Sequence, residues 1–150
     1  MRLEEEIKQQ KKFTNDFEKL VVNIMYTSSW IESLTIQRMK PFGISPQQYN
    51  VLRILRGAYP NPIMLSEIAK RMIDKNSNAT RLVEKLRVKG MVKREICEKN
   101  RRQVDITITK TGMDLLAELD KTAEPWFESL NTLNTQEIEH LNNVLDKLRG

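Results

Sequence analysis

The chain has 150 residues, of which 39% are hydrophobic and 30% charged, so it is long enough for one ordinary core and too short for two. Its mean hydropathy is -0.53, and no stretch approaches the roughly 18 apolar residues of a membrane helix. The single cysteine, Cys97, excludes an internal disulfide, and one distant histidine, His140, offers no metal-ligand spacing. The charged N-terminus lacks the apolar core of a secretory signal, so we expect a cytoplasmic protein. From the length and from the cysteine and histidine counts, we expect a single domain without metal or cofactor.

The positive charge is concentrated in the middle of the chain. The net charge is +5, and positions 60–112 carry 13 Lys and Arg against 6 Asp and Glu, whereas the remainder carries 12 against 14. A basic central block between neutral flanks favours a module that binds a polyanion, with nucleic acid as the leading candidate. The alternative, in which the charge only solvates one face, explains the excess of Lys and Arg over Asp and Glu equally well.

Two helices are predicted in the N-terminal part. Apolar residues at spacings of three and four predict one long amphipathic helix over about 4–40. The sequence "PFG" at 41–43 predicts its end, because proline disfavours helical geometry in the residue before it and glycine permits a turn. Ser45, Pro46 and Gln48 then supply a cap, a first-turn proline and a capping glutamine, which predict a second helix ending at "GAYPNP".

The central block predicts two short helices followed by a hairpin. After an extended segment at about 63–65, we expect Ser66 to cap a third helix, "EIAKRM". The polar turn "IDKNSNA" leads into a fourth helix, "ATRLVEKLRVKG", with Leu82, Val83 and Leu86 facing inward and Gly90 as its terminator. Strand-like "MVKREIC" and alternating "QVDITIT" follow, with "EKNRR" as the tip between them.

Two further helices are predicted after the hairpin. Thr109 or Thr111 begins a fifth helix with an apolar stripe, and Asn134 with Glu137 three positions later forms the capping signal of the last. Both terminal regions therefore carry apolar helical stripes. The predicted fold class is mainly α with a small β-hairpin wing.

The central elements together predict a winged helix-turn-helix. A major groove about 12 Å wide admits one helix, whose leading polar residues reach base edges, and cations on a hairpin reach the adjacent minor groove. The alternative is a solvated turn whose cations only protect an edge strand from aggregation. The predicted DNA-binding residues lie on the fourth helix, its preceding turn and the hairpin: Lys75, Asn76, Ser77, Asn78, Thr80, Arg81, Lys85, Lys99, Arg101 and Arg102.

The chain resembles the multiple antibiotic resistance regulator (MarR) family of bacterial transcription factors. The resemblance is carried, in order, by "LSEIAKRM", "TRLVEKLRVKGMVKRE", "NRRQVDITITKTG" and "NTQEIEHLNNVLDKL". It implies a homodimer, with dimerisation helices at about 4–40 and 112–150 and a winged helix-turn-helix lobe at about 45–111. Such a dimer would act as a repressor that reads a palindromic operator in double-stranded DNA, with half-sites one turn, roughly 34 Å, apart.

The family's wing signature is an aspartate, any residue, then an arginine. Here the matching positions are Asn100, Arg101 and Arg102. The amide that replaces the aspartate can tie the hairpin through hydrogen bonds but cannot form a salt bridge. Arg102 matches the arginine that enters the minor groove.

The resemblance also implies a small aromatic or anionic effector that releases DNA. Candidate residues lie where the first two helices meet, and Arg53 is the group that could bind a carboxylate. The alternative is that these aromatics are core residues. The full candidate set is Tyr26, Trp30, Met39, Phe42, Tyr49 and Arg53. Relatives that sense oxidants use a cysteine near the N-terminus, whereas Cys97 lies in a predicted wing strand, so we expect it to have no redox role. The alternative is a reactive thiolate favoured by Lys93 or Arg94.

Three other classes of protein are alternatives to a sequence-specific regulator. An enzyme is disfavoured, because the sequence contains no glycine-rich phosphate loop, no HExxH and no plausible nucleophile with a base. A helical adaptor with a basic face would bind an acidic protein rather than DNA. A nonspecific architectural protein would bind DNA without preferring one palindrome.

Overall fold

The computed structural model describes all residues from Met1 to Gly150. It is mainly helical with one small antiparallel sheet, which confirms the predicted fold class. The elements are α1 (Leu3–Glu6), α2 (Asp16–Met39), a 3-10 turn (Lys40–Phe42), α3 (Pro46–Ala58), β1 (Ile63–Met64), α4 (Leu65–Arg71), α5 (Ala79–Val88), β2 (Val92–Cys97), β3 (Asn100–Ile108), α6 (Lys110–Leu130) and α7 (Thr135–Arg149).

The chain forms two compact units, Met1–Leu116 and Ala117–Gly150, and α6 passes from the first to the second. The assignment of 1–150 to a single domain stays a prediction. None of the helices combines the length and apolar composition that a membrane span requires.

The prediction of one continuous helix over 4–40 was wrong. The structure has a short α1, a break, and α2 from Asp16. The break has two causes. The segment "KQQKK" at 8–12 has no apolar residue to bury, and Asn15 caps α2 by accepting a hydrogen bond from the Glu18 backbone N–H at 2.8 Å. The N-terminal segment is nevertheless tied to α2, because Glu4 forms an ion pair with Lys19 at 2.5 Å.

The turn between α2 and α3 ends on glycine rather than on proline. Lys40 keeps helical dihedrals of φ -52° and ψ -44° although Pro41 follows it, so the expected effect of the proline was wrong. Gly43 ends the 3-10 turn in the left-handed region at φ 70°, which glycine adopts without a Cβ penalty. The predicted start of α3 is confirmed, because Ser45 and Gln48 exchange side-chain to backbone hydrogen bonds of 3.1 Å.

Ser66 does not cap the third helix, which corrects the prediction at that position. α4 begins one residue earlier, at Leu65, and its N-cap Met64 makes no side-chain capping bond. The reason is nonlocal: Met64 pairs with Asp105 in the sheet, so the strand β1 runs directly into the helix. α5 begins at Ala79 behind the cap Asn78.

The sheet has the strand order β1-β3-β2, with both pairs antiparallel. Ile63 lies opposite Ile106, and Val92 opposite Ile108, and all four side chains are buried. The alternation predicted for "QVDITIT" therefore directs one face of β3 into the core. Other buried residues of the same unit come from α3, from α4 and the residue that ends it, and from α5: Val51, Leu52, Leu55, Ile68, Met72, Val83 and Leu86.

The second unit holds the rest of α6 and α7. In it, Leu119 is fully buried, and the rings of Trp126 and Phe127 meet edge to face with centroids 5.1 Å apart. The predicted cap of α7 is confirmed, since Asn134 accepts from the Glu137 N–H at 3.0 Å and Glu137 accepts from the Asn134 N–H at 2.9 Å.

Candidate nucleic-acid interface

The amino-terminal end of α5 combines an anchored inner face with a polar outer face. Val83 and Leu86 are 2% and 0% exposed and fix the helix to the core of its unit. On the outer face, Thr80, Arg81 and Lys85 are exposed or partly exposed. Because the helix cannot rotate without exposing its apolar side chains, these three outer side chains point consistently toward solvent.

Local hydrogen bonds set where α5 begins. Asn78 accepts from the Arg81 backbone N–H at 3.1 Å, which satisfies one of the free donors of the first turn. In the preceding turn, Asp74 accepts from the Asn76 N–H at 3.0 Å through its side chain and from the Ser77 N–H at 3.2 Å through its carbonyl. The remaining N–H groups and the positive end of the helix dipole favour an anion at this end.

A groove of about 650 Å³ lies between the start of α5 and the strand β3. Ser77, Asn78 and Thr80 form one wall, and Asn100, Arg102 and Gln103 contribute to the other. The Ser77 hydroxyl oxygen is buried and makes no hydrogen bond. The groove thus brings the predicted residues Ser77, Asn78 and Thr80 together with Asn100 and Arg102 of the wing signature, which lie about twenty positions later in the sequence.

The two wing arginines lie in β3 and not at the hairpin tip, which corrects the predicted extent of the tip. Asn100 is the first residue of β3, so only Glu98 and Lys99 form the turn. The pairing of β2 with β3 shifts register between Ile96 and Cys97, so the residues from Arg101 to Gln103 do not alternate regularly between the two faces. Arg102 and Gln103 both line the groove beside α5, whereas Arg101 lies with Ile96 and Cys97 along a different depression.

Carboxylates neutralise some cations of this region and leave others available. On β2, Lys93 pairs with Glu95 at 2.6 Å, and this hydrogen bond raises the pKa of Lys93 above its ordinary value of 10.5. Glu84 of α5 pairs with Arg87 at 2.7 Å and lies 4.0 Å from Arg94 of the wing.

The predicted DNA-binding cations are different. None of them forms an ion pair with a carboxylate, although Lys75 donates a hydrogen bond to a backbone carbonyl, that of Lys70. Their positive charge is therefore available to an external polyanion. The cations in question are Lys75, Arg81, Lys85, Lys99, Arg101 and Arg102.

The predicted effector residues are distributed over several environments. Met39 is 1% exposed and belongs to the core, whereas Trp30 is 48% exposed on α2. Tyr49 and Arg53 are in contact, with the guanidinium donating to the Tyr49 hydroxyl at 3.4 Å and its carbon 5.8 Å from the ring centroid. A second groove, of about 550 Å³ between α2, α3 and the end of α4, is lined by other residues. The effector set, including Tyr26 and Phe42, stays a prediction.

Two polar residues of the α5 groove were not predicted. Ser66 lines it, but its sequence context had favoured a helix cap. Gln103 also lines it, and its amide donates to Asp105 at 2.8 Å. The position of Gln103 on the polar face of an alternating strand is the signal that could have indicated it.

Comparison with known sequences gives matches that cover the same elements. A sequence model of the MarR family matches residues 44–104, which include α3, α4, α5, β2 and the first part of β3. The chain is 27% identical over 119 residues to the HTH-type transcriptional regulator PapX of Escherichia coli, covering 79% of this chain and 73% of the relative.

Solved structures match nearly the whole chain. A MarR transcription factor from Planctomyces limnophilus is 27% identical, with a TM-score of 0.69, covering 90% of this chain and 98% of that one. A mutant MarR from E. coli, complexed with operator DNA, has a TM-score of 0.80 at 22% identity, covering 92% of this chain and 99% of that one. The second similarity concerns the fold alone.

Proposed function

The chain belongs to the MarR family of DNA-binding transcription regulators, and on that premise we propose that it is a homodimeric repressor of a palindromic operator. Members of this family are transcription factors rather than enzymes. The finer features of the proposal are the residues that contact DNA, the dimer, the operator symmetry and the effector. Each is supported by particular observations on this chain.

The observation that carries the proposal is the groove between α5 and β3. Its two walls present amides, hydroxyls and one unpaired guanidinium, Arg102, around the start of a helix. Asn side chains can bridge adenine and Arg side chains can bridge guanine in the major groove. We therefore propose base and phosphate contacts from Asn76, Ser77, Asn78, Thr80 and Arg81, with Lys75, Lys85 and Lys99 on the DNA backbone.

The wing extends the same surface. Arg102 is held beside the start of α5, so a helix in the major groove would bring this side chain toward the flanking minor groove. Narrow A·T tracts concentrate negative potential there, which favours an unpaired guanidinium. We propose that Arg102 enters the minor groove and that Arg101 contacts phosphate.

A homodimer is supported by the apolar side chains that each unit leaves exposed. On α2, Phe17, Met25 and Trp30 are 60%, 66% and 48% exposed, and on α7, Leu141 and Leu148 are 46% and 44% exposed. Stripes of this kind rarely remain in contact with water. A second copy related by a two-fold axis would bury them and would present two reading helices, so the operator should be an inverted repeat.

Repression and release by an effector complete the proposal. A dimer bound across an operator excludes other proteins from that stretch of DNA. We propose that a small aromatic or anionic molecule releases it, with Arg53 as the anion-binding group. Arg53 stacks near Tyr49 and would exchange this neutral partner for a carboxylate.

The test is selection from a randomised duplex library at physiological salt, followed by titrations of the recovered sequences at several salt concentrations. We expect an enriched inverted repeat with half-site centres about 34 Å apart and a steep loss of affinity with salt. Salt-dependent binding without an enriched motif would instead indicate an architectural protein. No binding to any duplex would favour the adaptor.

A matched variant separates base reading from charge. Arg81→Lys keeps the positive charge but loses the planar fork that bridges guanine. We expect the selected motif to relax at one or two positions while affinity for random duplex is unchanged. A motif identical to that of the wild type would remove Arg81 from the base contacts.

A further inference from the structure

The corner at which the chain leaves α4 is held by a side chain from α3. Met72 is 1% exposed and leaves helical geometry with φ -58° and ψ 136°. The following backbone N–H, that of Ile73, donates to the Oδ1 atom of Asn50 at 2.9 Å. A buried side chain and one hydrogen bond therefore fix two consecutive residues at the start of the turn.

This contact differs in reach from the other hydrogen bonds of the turn. Asp74 and Asn78 bond to backbone groups two and three positions away, so they shape the turn internally. Asn50 lies 23 positions from Ile73 and belongs to a helix whose inner face, with Val51 and Leu55, is fully buried. Asn50 thus connects the turn to a rigid part of the core.

We infer that Asn50 is a positioning residue for sequence reading, an inference that rests on the proposed function. The turn from Ile73 leads directly to the polar residues at the start of α5. Ala79, Val83 and Leu86 hold α5 in the core from its first residue onward. The turn over residues 74–78 is therefore fixed at its far end by α5 and at its near end by the corner that Asn50 holds, so its path depends on that corner.

The consequence concerns specificity more than overall affinity. Base contacts need side chains in fixed places, whereas phosphate contacts by long cations tolerate small displacements. Without the Asn50 bond, the turn would sample several positions, and the preferred sequence would lose its advantage over random duplex. A purely structural role would instead lower thermal stability and leave the ratio of the two affinities unchanged.

Three variants test the inference. Asn50→Leu keeps a similar shape and removes the acceptor, and Asn50→Asp keeps an acceptor oxygen. The added charge of the second variant acts on both kinds of duplex and cancels in their affinity ratio. Gln47→Leu is the matched control. Gln47 and Asn50 both line the groove between α2, α3 and the end of α4, but the Gln47 amide bonds to Glu32 of α2 and not to the turn.

The measurement is the ratio of affinities for the selected repeat and for random duplex. For Asn50→Leu we expect this ratio to fall about three- to tenfold, the range expected for one hydrogen bond. Asn50→Asp should restore it and Gln47→Leu should leave it unchanged. The inference is overturned if Asn50→Leu keeps the wild-type ratio, if Asn50→Asp fails to restore it, or if Gln47→Leu lowers it equally.

Amide hydrogen exchange of the unmodified protein tests the contact without any variant. The Ile73 side chain is 86% exposed, yet its N–H should exchange more slowly than that of an open turn. Exchange at the unprotected rate would overturn the inference even if Asn50→Leu did not fold. A wild-type protein that selects no repeat would contradict the proposed function itself, and that outcome is distinct from a changed ratio in the variants.

Discussion

Asn100 and Arg102 are linked by a hydrogen bond at the start of β3, in which the Asn100 side-chain oxygen accepts from the Arg102 backbone N–H at 3.1 Å. Asn100 stands where the family's wing signature has an aspartate. The bond uses an oxygen that both residue types possess, so the amide preserves the local turn without a charge. The arginine that faces α5 is thereby held at a fixed place on β3.

The first prediction concerns this hydrogen bond. Asn100→Ala should weaken operator binding about three- to tenfold, because the wing loses one ordering bond and Arg102 becomes less well placed. Asn100→Asp, which retains the acceptor, should bind within about threefold of the wild type at the same salt. Fluorescence anisotropy titration measures both. Equal affinities for Asn100→Ala and the wild type would show that the bond has no role in DNA binding.

The second prediction separates the two wing arginines. Arg102→Ala should lower DNA affinity more than Arg101→Ala, because only Arg102 lines the groove beside α5. Each lost phosphate contact also reduces the slope of log affinity against log salt concentration by about one. The two variants carry the same net charge, so each is the control for the other. A larger loss of DNA affinity for Arg101→Ala than for Arg102→Ala at fixed salt would contradict the proposal that Arg102 is the main DNA contact of the wing.

Local capping chemistry was predictable from the sequence. Ser45 with Gln48 and Asn134 with Glu137 form their reciprocal bonds at the predicted residues. Such boxes involve residues three positions apart, and their geometry is almost independent of the rest of the fold. The order of helices and strands around them was predictable for the same reason, since hydrophobic periodicity is also a short-range signal.

Two of the errors arose where distant contacts decide, whereas the missed break before α2 had local causes. Ser66 offers a reasonable cap, but pairing of Met64 with Asp105 starts the helix one residue earlier. The register that places Cys97 opposite Asn100 leaves a turn of two residues, so the wing arginines lie in the strand. For the candidate site, the sequence identified both walls of the groove but not the Asn50 contact, because periodicity carries no information on a bond that spans 23 positions.

The third prediction concerns the proposed dimer. Leu141→Gln combined with Leu148→Gln should convert a dimer into monomers in sedimentation experiments, because both side chains are exposed in the single chain and would be buried by a partner. Each buried leucine contributes about 1.5–3 kcal/mol. Glu139→Gln, elsewhere on α7, should leave the dimer intact. A double variant that still sediments as a dimer would place the interface elsewhere.

The fourth prediction is a pH dependence at Glu84. The hydrogen bond from Arg87 holds the pKa of the Glu84 carboxyl below its ordinary value of 4.5. Folding therefore favours the ionised form, and the resulting stabilisation is present above pH 4.5 and lost as the pH falls through the lowered pKa. NMR titration should show the pKa of Glu84 rising toward 4.5 in Arg87→Gln. An unchanged pKa of Glu84 in this variant would show that the hydrogen bond from Arg87 does not lower it.

The last prediction compares two glycines inside helices. A Cβ at Gly112, in the first turn of α6, would lie 2.4 Å from the Met91 carbonyl oxygen and 2.8 Å from Ile108 Cγ1, so Gly112→Ala should destabilise by about 1–3 kcal/mol. At Gly57 in α3 a Cβ would meet nothing within 4 Å, so Gly57→Ala should stabilise by about 0.5–1 kcal/mol through helix propensity. Urea unfolding measures both variants. Similar stabilities would mean that the backbone around Gly112 relaxes freely, and the close approach of β3 to α6 would then contribute little to the position of the wing.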